Sequence, residues 1–214
     1  MITITISIII LTCVVSFTAF SNEKIMGDLI FNPPAISNRK QWYRFFTCGF
    51  IHADIMHLAF NMYSFYLFGE IVEQSFSQIF GTSSGKIIFL LMYLASLAIS
   101  ILPTYIQQQN NYHYYSLGAS GAVSAVVFAG IFIYPTMGLG IFPIPIHIPG
   151  FIFGPLYLIV SAYLAKKGNG NINHSAHIWG AIFGVVFVVI SSYFGSDYNL
   201  LKNFYLEVSG YFVR

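Results

Sequence analysis

Ser120 lies in the run Gly118-Ala119-Ser120-Gly121-Ala122, and His177 opens the run His177-Ile178-Trp179-Gly180-Ala181-Ile182-Phe183-Gly184. A serine beside a neutral imidazole is the minimum for nucleophilic catalysis, because the ring takes the hydroxyl proton as the oxygen attacks. Both residues sit in strongly apolar stretches, where a polar group is expensive and raises a functional question. At about 100° per helical residue, positions 177, 180, 181 and 184 share one face, a histidine followed by Gly, Ala and Gly. Small residues at that spacing let two helix backbones approach closely. The all-small run around Ser120 is a matching surface, so packing of the two segments brings Ser120 within reach of His177.

A nucleophile also needs donors for the negative charge that its attack creates. Ser120 is expected near a helix N-terminus, where backbone N–H groups are free and the dipole end is positive. His57 and Asn61 are four residues apart and share a helix face. An imidazole N–H and an amide aimed at one point, with the Ser120 backbone N–H, form an oxyanion hole, each donor typically worth ~10²–10³ in rate. His52 falls about 140° around from His57 on ideal helical geometry and reads as a buried structural hydrogen-bonder. Ser116 and Ser124 read as hydroxyls bonded back one turn, and His113, His147 and His174 as satisfied interfacial histidines. Gly118-Ala-Ser-Gly is not the strand-to-helix elbow G-x-S-x-G, because position 122 is Ala.

The elements that must position these groups follow from composition. The chain is 57% hydrophobic and 7% charged, against roughly 25% charged in soluble domains. Too few charges remain to coat a water-facing surface, so lipid is expected to be part of the solvent. Nine scattered basic residues and a net charge of +2 give no nucleic-acid footprint. Six runs approach the ~20 apolar residues of a spanning helix: residues 2–20, about 55–71, 87–106, 116–134, about 142–165 and 172–194. Breaks are marked by the Gly81–Gly85 stretch, by 107–111, by Pro143-Ile144-Pro145 and by Lys166–Gly170. The expectation is one domain, 1–214, with a first helix over 2–20, a long first loop over 21–49, core helices over about 50–194 and a short tail over 195–214. The first run lacks the basic flank of a cleaved signal and reads as a retained helix. The tail is too short and charged to span, and its Phe204, Tyr205, Tyr211 and Phe212 suit a membrane interface. Cys13 and Cys48 lie in or beside apolar runs without metal-ligand spacing and read as free thiols.

Three stretches in this order, His52-Ala-Asp-Ile-Met-His57-Leu-Ala-Phe-Asn61, Gly118-Ala-Ser120-Gly121 and Ala176-His177-Ile-Trp-Gly180-Ala-Ile-Phe-Gly184, resemble the rhomboid intramembrane protease family. The resemblance implies an all-α membrane protein, a bundle of six transmembrane helices with a water-filled cavity sunk from one membrane face. It implies Ser120 as nucleophile, His177 as general base and acid, and His57, Asn61 and the Ser120 N–H as oxyanion hole. Trp42-Tyr43-Arg44 resembles the family's Trp-Arg element with one residue inserted, and Glu73 falls where the family often carries a Glu. Arg44, Glu73, His52, Gly180 and Gly184 are then structural. A multi-pass integral membrane protein (of the cell membrane if the source is bacterial), transmembrane protein substrates, lipid contact, no metal and no cofactor are implied. Neither substrate identity nor oligomeric state is legible.

Two departures from the family pattern stand out. Ser124 occupies a position that is commonly aromatic and packs on the catalytic imidazole, so His177 must be held otherwise, the Ser124 hydroxyl being one means. With the N-terminus in the cytosol, Lys24, Arg39, Lys40, Arg44, Lys166 and Lys167 lie outside against Lys86, Lys202 and Arg214 inside, six against three and opposite to the positive-inside rule. Two other functions compete. One is a non-catalytic rhomboid-like protein that binds transmembrane segments. The other is a metal or haem carrier using His52, His57, His174 and His177, for which imidazoles are suitable ligands.

Overall fold

A computed structural model of the chain describes residues 2–141, 144–167 and 172–213. The expected start of the fifth segment at Phe142-Pro143, the Gly168–Gly170 part of the break after Lys167, and Arg214 lie outside the described residues. Ten α-helices and one hairpin are formed among the described residues, in the order α1 (Ile4–Phe20), α2 (Glu23–Leu29), α3 (Pro33–Arg39), α4 (Arg44–Thr47), α5 (Ile55–Phe80), α6 (Thr82–Gln108), α7 (Ser120–Ile133), β1 (Gly138–Ile141), β2 (Ile144–Pro149), α8 (Gly150–Lys167), α9 (His174–Gly195) and α10 (Leu200–Tyr211). The helices α6 and α9 are long and apolar enough to cross a membrane, and α1 and α7 are shorter apolar helices. Large apolar side chains also face outward, among them Val14 (60% exposed), Leu91 (55%), Ile159 (65%) and Ile190 (52%). An apolar exterior on this scale is unusual for a water-soluble monomer.

Helix α7 is the axis of the molecule. Gly121 to Val126 are all buried, and the helix packs on α9, α5 and α6. The contact with α9 is backbone on backbone: a Cβ added at Gly180 would strike the Gly121 carbonyl oxygen, and one at Gly184 the Ala125 carbonyl oxygen. On its other side Gly121 lies against the Ser100 side chain of α6.

Helix α1 is joined to α5 by acidic groups at its N-terminus. The Glu73 carboxylate accepts from the backbone N–H of Ile4 (2.9 Å) and Thr5 (2.8 Å) and from the Thr5 hydroxyl (2.8 Å). The Thr3 hydroxyl donates to Glu70 at 2.6 Å. First-turn N–H groups have no acceptor within their own helix, and a carboxylate there also meets the positive dipole end. Close approach is permitted by Gly69, whose added Cβ would lie 2.7 Å from the Thr5 methyl.

The stretch expected as a long loop, 21–49, is instead three short helices and the start of a 3-10 turn (Cys48–Phe50). Asn22 and Asn32 cap α2 and α3, accepting from Ile25 N (3.1 Å) and Ala35 N (2.8 Å). Arg44, 6% exposed, donates to the Gly27 and Ile30 carbonyls at 2.8 and 2.6 Å and so closes the C-terminal end of α2. Phe31, Ile36, Phe45, Cys48 and Ile101 form a second apolar cluster beneath it.

Two further boundaries need correction. The run expected to be helical from residue 142 begins instead with an antiparallel hairpin, Gly138 pairing with Pro149, and α8 starts only at Gly150. Gly138, Gly140, Pro145 and Pro149 disfavour a helix there through backbone entropy and missing donors, which hydropathy does not register. The tail forms α10, seated by a stacked Phe132–Phe204 pair with centroids 4.5 Å apart.

Gly180→Ala is expected to force α7 and α9 apart at a backbone contact that has no side chain to yield. A loss of about 1–3 kcal/mol, the usual scale of overpacking, should appear as a lower unfolding midpoint in detergent. An unchanged midpoint contradicts the close contact.

Candidate active site

The N-terminus of α7 is held by bonds to the segments on either side of it. Phe31 and Ser116 pair their backbones in both directions (3.0 and 3.1 Å), and Gly118 N–H donates to the Cys48 carbonyl at 2.9 Å. Gly118 has φ +108°, in the left-handed region that favours glycine, and a side chain there would strike the His57 ring, with Cε1 2.7 Å away. Ala119 is the N-cap of α7 and supplies no side-chain acceptor, so the N–H groups around Ser120 have no capping side chain.

His52 is fully buried and is not on α5, which starts at Ile55. Its Nε2 accepts from Ala119 N–H at 3.4 Å, and its Nδ1 lies 3.0 Å from the Ser16 hydroxyl, which donates to the Phe50 carbonyl at 2.9 Å. Acceptance at Nε2 places the ring proton on Nδ1. The residue before Ser120 is thereby joined through one imidazole to α1. Asp54 caps α5 by accepting from His57 N–H at 2.7 Å, which ends helical geometry before residue 52. The two rings therefore meet edge-on with centroids 5.0 Å apart, rather than pointing about 140° apart.

Ser120 Oγ and His177 Nε2 are 2.7 Å apart, one from the first turn of α7 and one from the first turn of α9. Their separation follows from the backbone contact of Gly180 with Gly121, the residue next to Ser120 on α7 and one turn beyond His177 on α9. Asn173 sets the start of α9: its side chain caps the helix by accepting from Ala176 N–H at 3.1 Å and pairs with Thr104 of α6. For Ser120 to donate, Nε2 must be the unprotonated nitrogen, leaving the ring proton on Nδ1. Among the described residues no carboxylate touches the His177 ring.

His57 turns its Nε2 toward Gly118, and its Nδ1 accepts from Ala53 N–H at 3.4 Å. That acceptance leaves the proton on Nε2, which lies beside Gly118 together with Cε1. Asn61 is partly engaged within its own helix. Its amide donates to the His57 carbonyl one turn back, at 2.9 Å, so one of its two N–H bonds is spent within α5. Both residues still line the cavity that contains Ser120 and His177, a space of about 1600 Å³ extending along α7 between α5 and α8.

Ser124 does not hold the His177 ring. Its hydroxyl meets the Tyr157 hydroxyl of α8 at 3.4 Å. The ring lying against His177 belongs to His174, edge-on with centroids 5.8 Å apart. The spacing of three residues on one helix face was the available signal for this contact. The four histidines weighed as metal ligands thus fall into two edge-on pairs, His52 with His57 and His174 with His177. Among the described residues no three His, Cys, Asp or Glu side chains come together.

The chain matches the Rhomboid domain family over residues 39–194, which contain Ser120, His177, His57 and Asn61. It belongs to the rhomboid family. Among curated proteins it is similar to "RHOMBOID-like protein 12, mitochondrial" of Arabidopsis thaliana, 30% identical over 141 residues, 61% of this chain and 40% of that protein. It is also similar to "Putative rhomboid protease YdcA" of Bacillus subtilis (strain 168), 35% identical over 83 residues, 39% of this chain and 37% of that protein. The matched stretches thus span about two fifths of either relative.

His174→Ala is expected to loosen the His177 ring and His174→Phe to keep it packed. The measure is the rate at which a serine-directed fluorophosphonate labels Ser120. A several-fold slower rate in the alanine variant, restored by phenylalanine, is the expected pattern, and equal rates in all three proteins contradict it.

Proposed function

We propose that this chain is an intramembrane serine peptidase that hydrolyses peptide bonds in or near the transmembrane segments of other membrane proteins. The observation that carries this reading is the 2.7 Å contact between Ser120 Oγ and His177 Nε2, facing a cavity inside an apolar bundle. Ser120 attacks the carbonyl carbon while His177 takes its proton, and the same imidazole returns the proton to the leaving amine. The oxyanion meets the Ser120 backbone N–H and the His57 Nε2–H, with the second amide hydrogen of Asn61 as a further donor. Arg44, Glu73, His52, Gly180 and Gly184 serve structure. The bundle spans the membrane six times, through α1, α5, α6, α7, α8 and α9, with α10 at the interface, as one domain in direct contact with lipid. No metal or cofactor takes part in this chemistry.

Ser120 begins α7, so it sits close to one membrane face and is supplied with water from that side. A substrate helix must unwind to present its carbonyl there. Unwinding is costly in lipid, where freed N–H and C=O groups lose their partners. Cleavage is therefore expected near the face toward which the α7 N-terminus points, after a small residue that the Gly/Ala surroundings of Ser120 admit.

Labelling by a fluorophosphonate and cleavage of a single-span substrate test the reading directly. Ser120→Ala should abolish both, and His177→Ala should abolish cleavage, with each variant still inserted and folded. Wild-type cleavage by Ser120→Ala would falsify the assignment. A folded wild-type protein that binds transmembrane segments but neither cleaves nor labels favours the non-catalytic alternative. His57→Ala should lower turnover by ~10²–10³, the scale of one oxyanion donor. Asn61→Ala should lower it less, because part of its amide is already engaged. The order of the two losses in kcat checks the geometry.

A further inference from the structure

The cavity holding Ser120 and His177 has a second polar point that proton transfer does not use. Ser124, 7% exposed, stands one turn beyond Ser120 on α7, and its hydroxyl faces the Tyr157 hydroxyl at 3.4 Å. Both side chains line the cavity. A serine within a helix ordinarily donates to the carbonyl four residues back, as Ser75 and Ser77 do in α5. Ser124 turns to the phenol instead. The walls around the pair are apolar. Phe128 and Phe153 lie with ring centroids 5.5 and 6.0 Å from that of Tyr157.

We propose that Ser124 and Tyr157 form a polar subsite that receives a short hydroxyl-bearing side chain of the substrate, Ser or Thr, next to the scissile bond. This rests on the peptidase reading above. Position favours it, because one helical turn is about 5.4 Å, the reach of a side chain whose own or neighbouring carbonyl sits at Ser120. The bond between the two hydroxyls is long against the usual 2.5–3.0 Å of an O–H···O bond, so an entering hydroxyl exchanges one weak bond for shorter ones. Each hydroxyl rotates to donate or accept as needed. The phenylalanine walls oppose charge, since an ion there has no partner for its desolvation. A methyl group of the same shape leaves both protein hydroxyls facing hydrocarbon, and a site built to bond a hydroxyl discriminates against such an analogue.

The test gives the purified full chain, in liposomes, single-span substrates that carry Thr, its isostere Val, Ser or Ala at each position flanking the cut. Wild type should cleave the Thr substrate over the Val substrate at one position by about tenfold in kcat/KM, the scale of one net hydrogen bond. The ratio should fall to near one in Tyr157→Phe and in Ser124→Ala. Because it is taken within each variant, any overall loss of activity or of folded fraction cancels. A wild-type ratio near one at every position, or a ratio unmoved in both variants, overturns the subsite and leaves the peptidase reading standing. If no substrate is cut and Ser120 takes no fluorophosphonate label, the peptidase reading fails and the subsite with it.

Discussion

The structure depends on the absence of side chains between α7 and α9. At Gly180 and Gly184 the backbone of α9 rests on the Gly121 and Ala125 carbonyls. Backbone contacts of this kind leave little freedom in the register or rotation of one helix against the other, because no rotamer can absorb a shift. Ser120 directly precedes Gly121 in that contact and His177 stands one turn before Gly180, so their 2.7 Å separation follows from the packing of the bundle rather than from a loop. In lipid, where apolar burial gives little drive for helices to associate, close van der Waals packing of this sort is the available adhesive.

A second set of constraints fixes the N-terminus of α7 from outside the bundle. Arg44 closes α2, the Phe31–Ser116 bridge ties that region to the strand-like approach to α7, and Cys48 and His52 bind Gly118 and Ala119. The first connection is thus not a passive linker. Its short helices expend their polar groups on one another and on the backbone leading to Ser120, leaving the N–H groups around Ser120 unclaimed by a capping side chain. Burial pushes the His52 imidazole down to about 3, so it serves as a neutral hydrogen-bonding strut across the ordinary pH range.

The legible parts of the sequence were those governed by a single periodicity. The shared face of 177, 180, 181 and 184 and the all-small run at Ser120 state the helix contact outright, and the contact brings the serine to the histidine. Long-range pairings were not legible. Nothing local joins Ser124 to Tyr157, 33 residues away, and hydropathy cannot separate the hairpin at 138–149 from the helix after it. For Asn61 a shared face specifies direction but not that its amide is partly engaged by its own helix. The direction of His52 relative to His57 was not legible, because the Asp54 cap ends the helix between the two histidines. His174 was passed over as interfacial, although its spacing from His177 is the ordinary one for neighbours on a helix.

The Glu73 attachment of α1 carries a consequence for biogenesis. Glu73 lies 69 residues after Ile4, and at ~5–20 residues per second of synthesis α1 emerges several seconds before its acceptor exists. Over that interval its first N–H groups have no protein partner, and hydrocarbon offers none. Until Glu73 is made, only water or other solvating groups can serve them. The Glu73 contact of α1 with α5 can therefore form only after α5 has been synthesised.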